Sequence, residues 1–125
     1  NKNKNFNAFC WHYDEAEILP NNSQVLASNS KSKYQSISFR FNNSSVWAVQ
    51  YHPEFNPRWM AGLMSLRKDI LLENNIYKNS SDFEKEKNIF ENYNELSDKE
   101  FDDYEDVINE KKHLLEISNW LDLKI

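Results

Sequence analysis

A histidine and a glutamate two residues apart, His52 and Glu54, close the most apolar stretch of the chain, Val46-Trp47-Ala48-Val49-Gln50-Tyr51. In extended chain, residues i and i+2 project to the same side, so the Glu54 carboxylate is within reach of the His52 ring. A carboxylate bonded to one imidazole nitrogen fixes the tautomer and stabilises the imidazolium. The other nitrogen is then left to take a proton from a nucleophile. Pro53 has no N–H to give to a ladder, so a strand arriving at His52 ends there. Met in isolation, such a pair is more often a surface contact at a strand end. Its weight here comes from the pattern around it.

Other chemically capable residues are fewer. His12 and Asp14 share one side of an extended segment by the same period of two. Cys10 is the single cysteine, so no intrachain disulfide can form. It lies in Ala8-Phe9-Cys10-Trp11-His12 without a flanking glycine and reads as a buried, inert strand residue. A Cys10–His52 dyad is the alternative reading of that thiol. The spacing of His12, Asp14, His52 and Glu54 follows no zinc or calcium pattern, so no metal and no cofactor is expected. Trp11, Trp47, Trp59 and Trp120 read as core. The acidic run from Asp98 to Glu110 reads as a solvated helix face and His113 as a surface residue.

The elements that must position His52 and Glu54 are legible from periodicity. Phe6–Tyr13 is aromatic-rich and predicts a strand. Asn21-Asn22-Ser23 predicts a turn, Gln24–Ser28 a short strand, and Asn29–Lys33 another turn. In Gln35–Phe41, Ile37, Phe39 and Phe41 alternate with Ser36, Ser38 and Arg40, a half-buried strand. Asn42-Asn43-Ser44 turns the chain into Val46–Tyr51, which makes a hairpin and, from its apolarity, a central strand. Beyond Phe55 the pattern becomes helical. Asn56 suits an N-cap and Pro57 the first helical position. Trp59, Leu63, Leu66 and Ile70 mark one buried face, with Met60 and Met64 beside them, and the helix fades near Asn74-Asn75. Phe83, Phe90 and Tyr93 mark a further helix. Ser97-Asp98-Lys99-Glu100 is a capping-box pattern opening a helix with Phe101, Tyr104 and Ile108. Leu114, Ile117 and Leu121 mark the last.

Bulk properties set limits. A chain of 125 residues suits one domain, and 39% hydrophobic with 14% aromatic residues suits a folded one. Gly62 is the only glycine, which excludes a glycine-rich phosphate loop and a Gly-x-nucleophile-x-Gly elbow. A net charge of -5 argues against nucleic acid as a partner. No apolar run has the length of a membrane span, and no secretory signal is visible. Cytoplasm is the expected location.

The stretch Val49-Gln50-Tyr51-His52-Pro53-Glu54 resembles the His-Pro-Glu signature of class I glutamine amidotransferases. Upstream, Ala8–Ala16 with His12 and Asp14 looks like the family's strand ending in a Ser-His-x-Asp type sequence. Pro20 with Val25-Leu26-Ala27-Ser28 looks like its next turn and strand, and the helix from Pro57 like the one that follows the motif. The resemblance covers residues 1–70. The helical tail, ending near Asn119-Trp120, resembles more weakly the C-terminal extension of GMP-synthase-like bacterial members.

The resemblance implies an α/β fold of the flavodoxin-like kind, with residues 1–125 as a single partial domain, its C-terminal half. Residues 1–55 would be its strand-rich part and residues 56–125 its helical part. It implies glutamine as substrate, hydrolysed to glutamate and ammonia by a Cys-His-Glu triad, and an ammonia-accepting synthetase domain or subunit as partner. His52 would be the base and Glu54 its orienting acid, while His12 and Asp14 would shape the substrate pocket or simply contact each other. The nucleophilic cysteine and its Gly-x-Cys-x-Gly turn are absent here and are expected upstream of Asn1, so this chain alone should be inactive. A degenerate relative that binds without turnover, or a related γ-glutamyl hydrolase or peptidase, are the alternatives.

Overall fold

The computed structural model describes residues 5–122. The described residues divide into two compact units, one of Phe9–His52 and one of residues 5–8 with residues 53–122.

The first unit is built on three antiparallel strands in the order β1-β2-β3: β1 Gln24–Ala27, β2 Ser36–Phe41 and β3 Ser44–Val49. Asn22, at φ 62°, takes the left-handed region ahead of β1, which asparagine tolerates better than most residues. Ser23 closes that turn by donating through both N–H and Oγ to the Pro20 carbonyl. Asn42, at φ 53°, does the same job in the hairpin turn, where Phe41 pairs with Ser44. On one face Ile37 opposes Ala48 and Phe39 opposes Val46. On the other, Ser36 is buried at 2% exposure, and its hydroxyl accepts from Trp47 Nε1 at 3.0 Å. Register slips between Val25 and Ala27, after which Gln35 N–H donates to the Ala27 carbonyl.

The hairpin and β1 agree with the sequence reading, but three expectations do not hold. Residues 6–13 form no strand. The part of that segment in this unit joins the region near β3 through a backbone bond, His52 N–H to the Phe9 carbonyl, and through side chains. The strand expected to be central, β3, lies at the sheet edge among the described residues. Its Ala48 and Val49 are exposed. Phe41, expected on the buried side of its strand, is 65% exposed at the last rung beside the turn.

The second unit is helical. Its elements are α1 Pro57–Leu66, α2 Lys68–Glu73, α3 Ser80–Glu91, a 3-10 turn at Tyr93–Glu95, α4 Asp98–Ile108, α5 Glu110–His113 and α6 Leu115–Asp122. Asn56 caps α1 by accepting from Trp59 N–H, with Pro57 at the first position. The buried residues of α1 are Pro57, Met60, Ala61 and Met64, while Trp59 and Leu66 are 62% and 81% exposed. The expected stripe is thus turned by one residue, about 100° around the axis, toward the flanking methionines. α1 packs against α3, whose Phe83 is fully buried and meets Tyr77 edge-on at 5.4 Å. Burial and the neighbouring Glu86 push the Tyr77 phenol well up. Lys68 Nζ lies 5.2 Å from the Phe83 ring centroid and pairs with Glu84, while Lys87 reaches both Glu84 and Glu91.

The capping box at α4 is complete: Ser97 Oγ accepts from Glu100 N–H, and Glu100 Oε2 accepts from Ser97 N–H. The bond from the Ser97 hydroxyl, then the one from its backbone, hold the Glu100 carboxyl below its usual value. A depressed folded-state pKa gives stability that is present above the unfolded carboxylate range and is lost as pH falls through the folded value. Ser97→Ala removes the cap acceptor for Glu100 N–H and is expected to destabilise the protein by about 1 kcal/mol at neutral pH. The deficit should shrink in acid, and urea denaturation at both pH values checks it.

Phe90 and Tyr104 meet edge-on at 5.6 Å, and Val107 and Ile108 are buried on α4. His113, expected at the surface, is 8% exposed on α5. The tryptophans expected in the core are not fully buried: Trp120 is 56% exposed and Trp11 and Trp47 are half-buried. Leu121 is 68% exposed. Residues 5–8 also belong to this unit. Asn7 N–H donates to Asp106 Oδ2 at 2.9 Å and Asn7 Nδ2 to the Asp103 carbonyl at 3.2 Å, which ties them to α4. Among the described residues no helix is long and apolar enough to cross a membrane.

Candidate functional site

Chemistry-bearing side chains of the sheet unit gather where β3 runs out. After Val49 the chain continues through Gln50 and the buried Tyr51 to the half-buried His52. His52 N–H donates to the Phe9 carbonyl at 2.8 Å. Its Nε2 lies 3.4 Å from the Trp11 carbonyl, longer than an ordinary hydrogen bond and so a weak restraint on the ring. His52 is the last residue of its unit. Glu54 is exposed in the turn just after Pro53, in the helical unit.

His12 and Asp14 are brought together, although not as a strand pair and not through the carboxylate. His12 Nδ1 is 3.0 Å from the Asp14 backbone carbonyl, and its Nε2 is 3.2 Å from Gln35 Nε2. Gln50 Nε2 donates to the same Asp14 carbonyl, and Gln50 N–H donates to the Gln35 carbonyl at 2.8 Å. Gln35, at 4% exposure, is the hub of this network. The sequence did not single it out. A glutamine at the edge of an alternating strand gives no periodic signal, and only its burial reveals it.

Cys10, expected to be buried, is exposed as a residue. Its thiol donates to Gln35 Oε1 at 3.9 Å, and desolvation around the sulfur raises its pKa. A raised thiol is a poor nucleophile at neutral pH, because the thiolate is the reactive form. Cys10 is therefore expected to react with iodoacetamide more slowly than a free cysteine at pH 7, as mass spectrometry of the alkylated peptide will show. Faster labelling would revive the Cys10–His52 pairing. Among the described residues no three of His, Cys, Asp and Glu stand close enough to hold a metal ion.

A family model described as Glutamine amidotransferase class-I matches residues 1–72. The chain is also similar to a Pseudomonas sp protein named gamma-glutamyl-L-1-hydroxyisopropylamide hydrolase. The two are 30% identical over 122 residues, which covers 94% of this chain and 41% of that protein. The chain thus spans well under half the length of that relative. No solved structure matches.

Proposed function

The chain belongs to the glutamine amidotransferase class-I family, and from that premise we propose that it serves as the C-terminal part of an enzyme that hydrolyses a γ-glutamyl amide. Glutamine is the first substrate. Val49-Gln50-Tyr51-His52-Pro53-Glu54 at the end of β3 is the observation that carries this reading. A cysteine outside residues 1–125 attacks the side-chain carbonyl carbon, its proton passing to His52. His52 returns that proton to the departing nitrogen as the C–N bond breaks, leaving a thioester and ammonia. It then takes a proton from water, which releases glutamate and restores the thiol. Glu54 orients the ring and stabilises its charged form. His12 and Asp14 help shape the pocket for the substrate's glutamyl part. Residues 1–125 by themselves release no ammonia, since they carry the base without the Gly-x-Cys-x-Gly nucleophile turn and its oxyanion donors.

In this reading the complete domain is a flavodoxin-like α/β domain in the cytoplasm, of which residues 1–125 are a part, and its ammonia passes to a synthetase domain or subunit. A second reading is favoured by the activity named for the Pseudomonas sp relative: the leaving group is a substituted amine set free in water, and no acceptor is needed. Glutamate release by the full-length protein separates the two. Glutamine is expected to exceed a γ-glutamyl alkylamide in kcat/KM by about tenfold or more, a difference of about 1.4 kcal/mol in transition-state binding. The reverse order moves the assignment to the second reading. Hydrolysis of neither leaves a degenerate binding protein and sinks both.

A further inference from the structure

The geometry points to Gln35 as a positioning residue that acts through His12. Its buried amide selects the Nδ1–H tautomer of His12 and thereby fixes the segment Cys10–Asp14. This rests on the proposed function only in taking that segment to border the substrate.

The backbone of Gln35 is clamped on both sides: its N–H donates to the Ala27 carbonyl, and its carbonyl accepts from Gln50 N–H. The side chain has little freedom at 4% exposure. One end of its amide faces His12 Nε2 at 3.2 Å and the other faces the Cys10 thiol at 3.9 Å. The His12 ring has a carbonyl, that of Asp14, at 3.0 Å on its Nδ1 side. A carbonyl accepts only, so Nδ1 carries the hydrogen. Were the Gln35 amide turned over, its oxygen would face Nε2 and demand a second hydrogen there. That would make His12 an imidazolium with two uncharged partners. With Nε2 of the amide donating, the ring is neutral, the thiol finds an acceptor and every group is matched. Which imidazole nitrogen is protonated is set by the bond the other makes. The Asp14 carbonyl then accepts from both His12 and Gln50, filling its two lone pairs. Cys10, His12 and Asp14 are all held, directly or through one intermediate, by the same glutamine.

The test is selective 15N-histidine labelling of the full-length protein at neutral pH, with the His12 signals assigned by their loss in His12→Asn. The wild type is expected to show a protonated Nδ1 and a bare Nε2. Gln35→Glu, which offers only acceptors, should move a hydrogen onto Nε2, and Gln35→Met should remove the preference. A merely structural glutamine would not produce opposite signatures in the two variants. In Gln35→Met, KM for the γ-glutamyl substrate should rise about tenfold, the scale of one lost hydrogen bond, with kcat changed less than about twofold. A wild-type His12 protonated on Nε2, or the same tautomer in wild type and Gln35→Glu, overturns the inference without any variant activity being measured. A fall in kcat at constant KM also overturns it. An inactive wild type with the expected Nδ1–H signal sinks the enzymatic reading and leaves the tautomer assignment standing.

Discussion

Replacing His52 with alanine in the full-length protein is expected to lower kcat/KM for γ-glutamyl amide hydrolysis by about 10³-fold, with KM nearly unchanged. The expected loss is large because the proposed reaction gives one ring a part in both of its halves. In the proposed mechanism it removes the thiol proton and protonates the leaving nitrogen during acylation, then activates water during deacylation. Alanine leaves the backbone bond from position 52 to the Phe9 carbonyl available, so the end of the sheet unit keeps its anchor. Glu54→Gln should cost less, about 10²-fold. The amide keeps the shape and can still accept from the ring, but it no longer stabilises the imidazolium. Steady-state glutamate release by wild type and both variants measures this. A His52→Ala protein within about tenfold of wild type would remove His52 from the mechanism.

The second large effect is on stability. Phe83→Ala is expected to destabilise the helical unit by about 3–5 kcal/mol, the usual range for deleting a buried aromatic ring. Phe83 is fully buried, with Tyr77 against its edge and the Lys68 ammonium over its ring. Removing it leaves a cavity that its neighbours must partly collapse into, and it takes the ring's π face from Lys68, which keeps its ion pair with Glu84. Total stabilities of about 5–15 kcal/mol mean that such a loss is a large part of the whole. The urea midpoint measures it. Phe83→Leu, which keeps most of the volume, should cost about 1.5 kcal/mol or less. A loss under about 1 kcal/mol for the alanine variant would mean that the core is centred elsewhere.

Local chemistry was the most readable part of this chain. Asn56 with Pro57, Ser97 with Glu100 and the asparagine turn at Asn42 are each decided within a few residues, and each is found where its sequence puts it. What depends on distant neighbours was not readable. The aromatic run Phe6–Tyr13 has strand propensity, but propensity in sheets is mostly the packing offered by a partner, and here the segment forms no ladder: His52 N–H bonds the Phe9 carbonyl, and the Cys10 and His12 side chains reach Gln35. In α1 two apolar stripes competed, and α3 covers the one containing Met60 and Met64 rather than the one containing Trp59 and Leu66. His113 sits among lysines and glutamates in sequence, yet it is buried on α5.

In the candidate site, the His-Pro-Glu stretch stood out by residue type and spacing. The glutamine hub was not, because a buried polar side chain announces itself only through the bonds that satisfy it.

The two bonds from Asn7 to α4 bear on how this polypeptide can be cut. The family match ends at residue 72, whereas Asp103 and Asp106 lie some thirty positions further on. An expression boundary drawn at the end of the family match takes both acceptors away from Asn7. Residues 5–8 then lose their mooring to α4, although no residue of the motif has been touched. The acidic tail is thus part of the smallest piece worth producing.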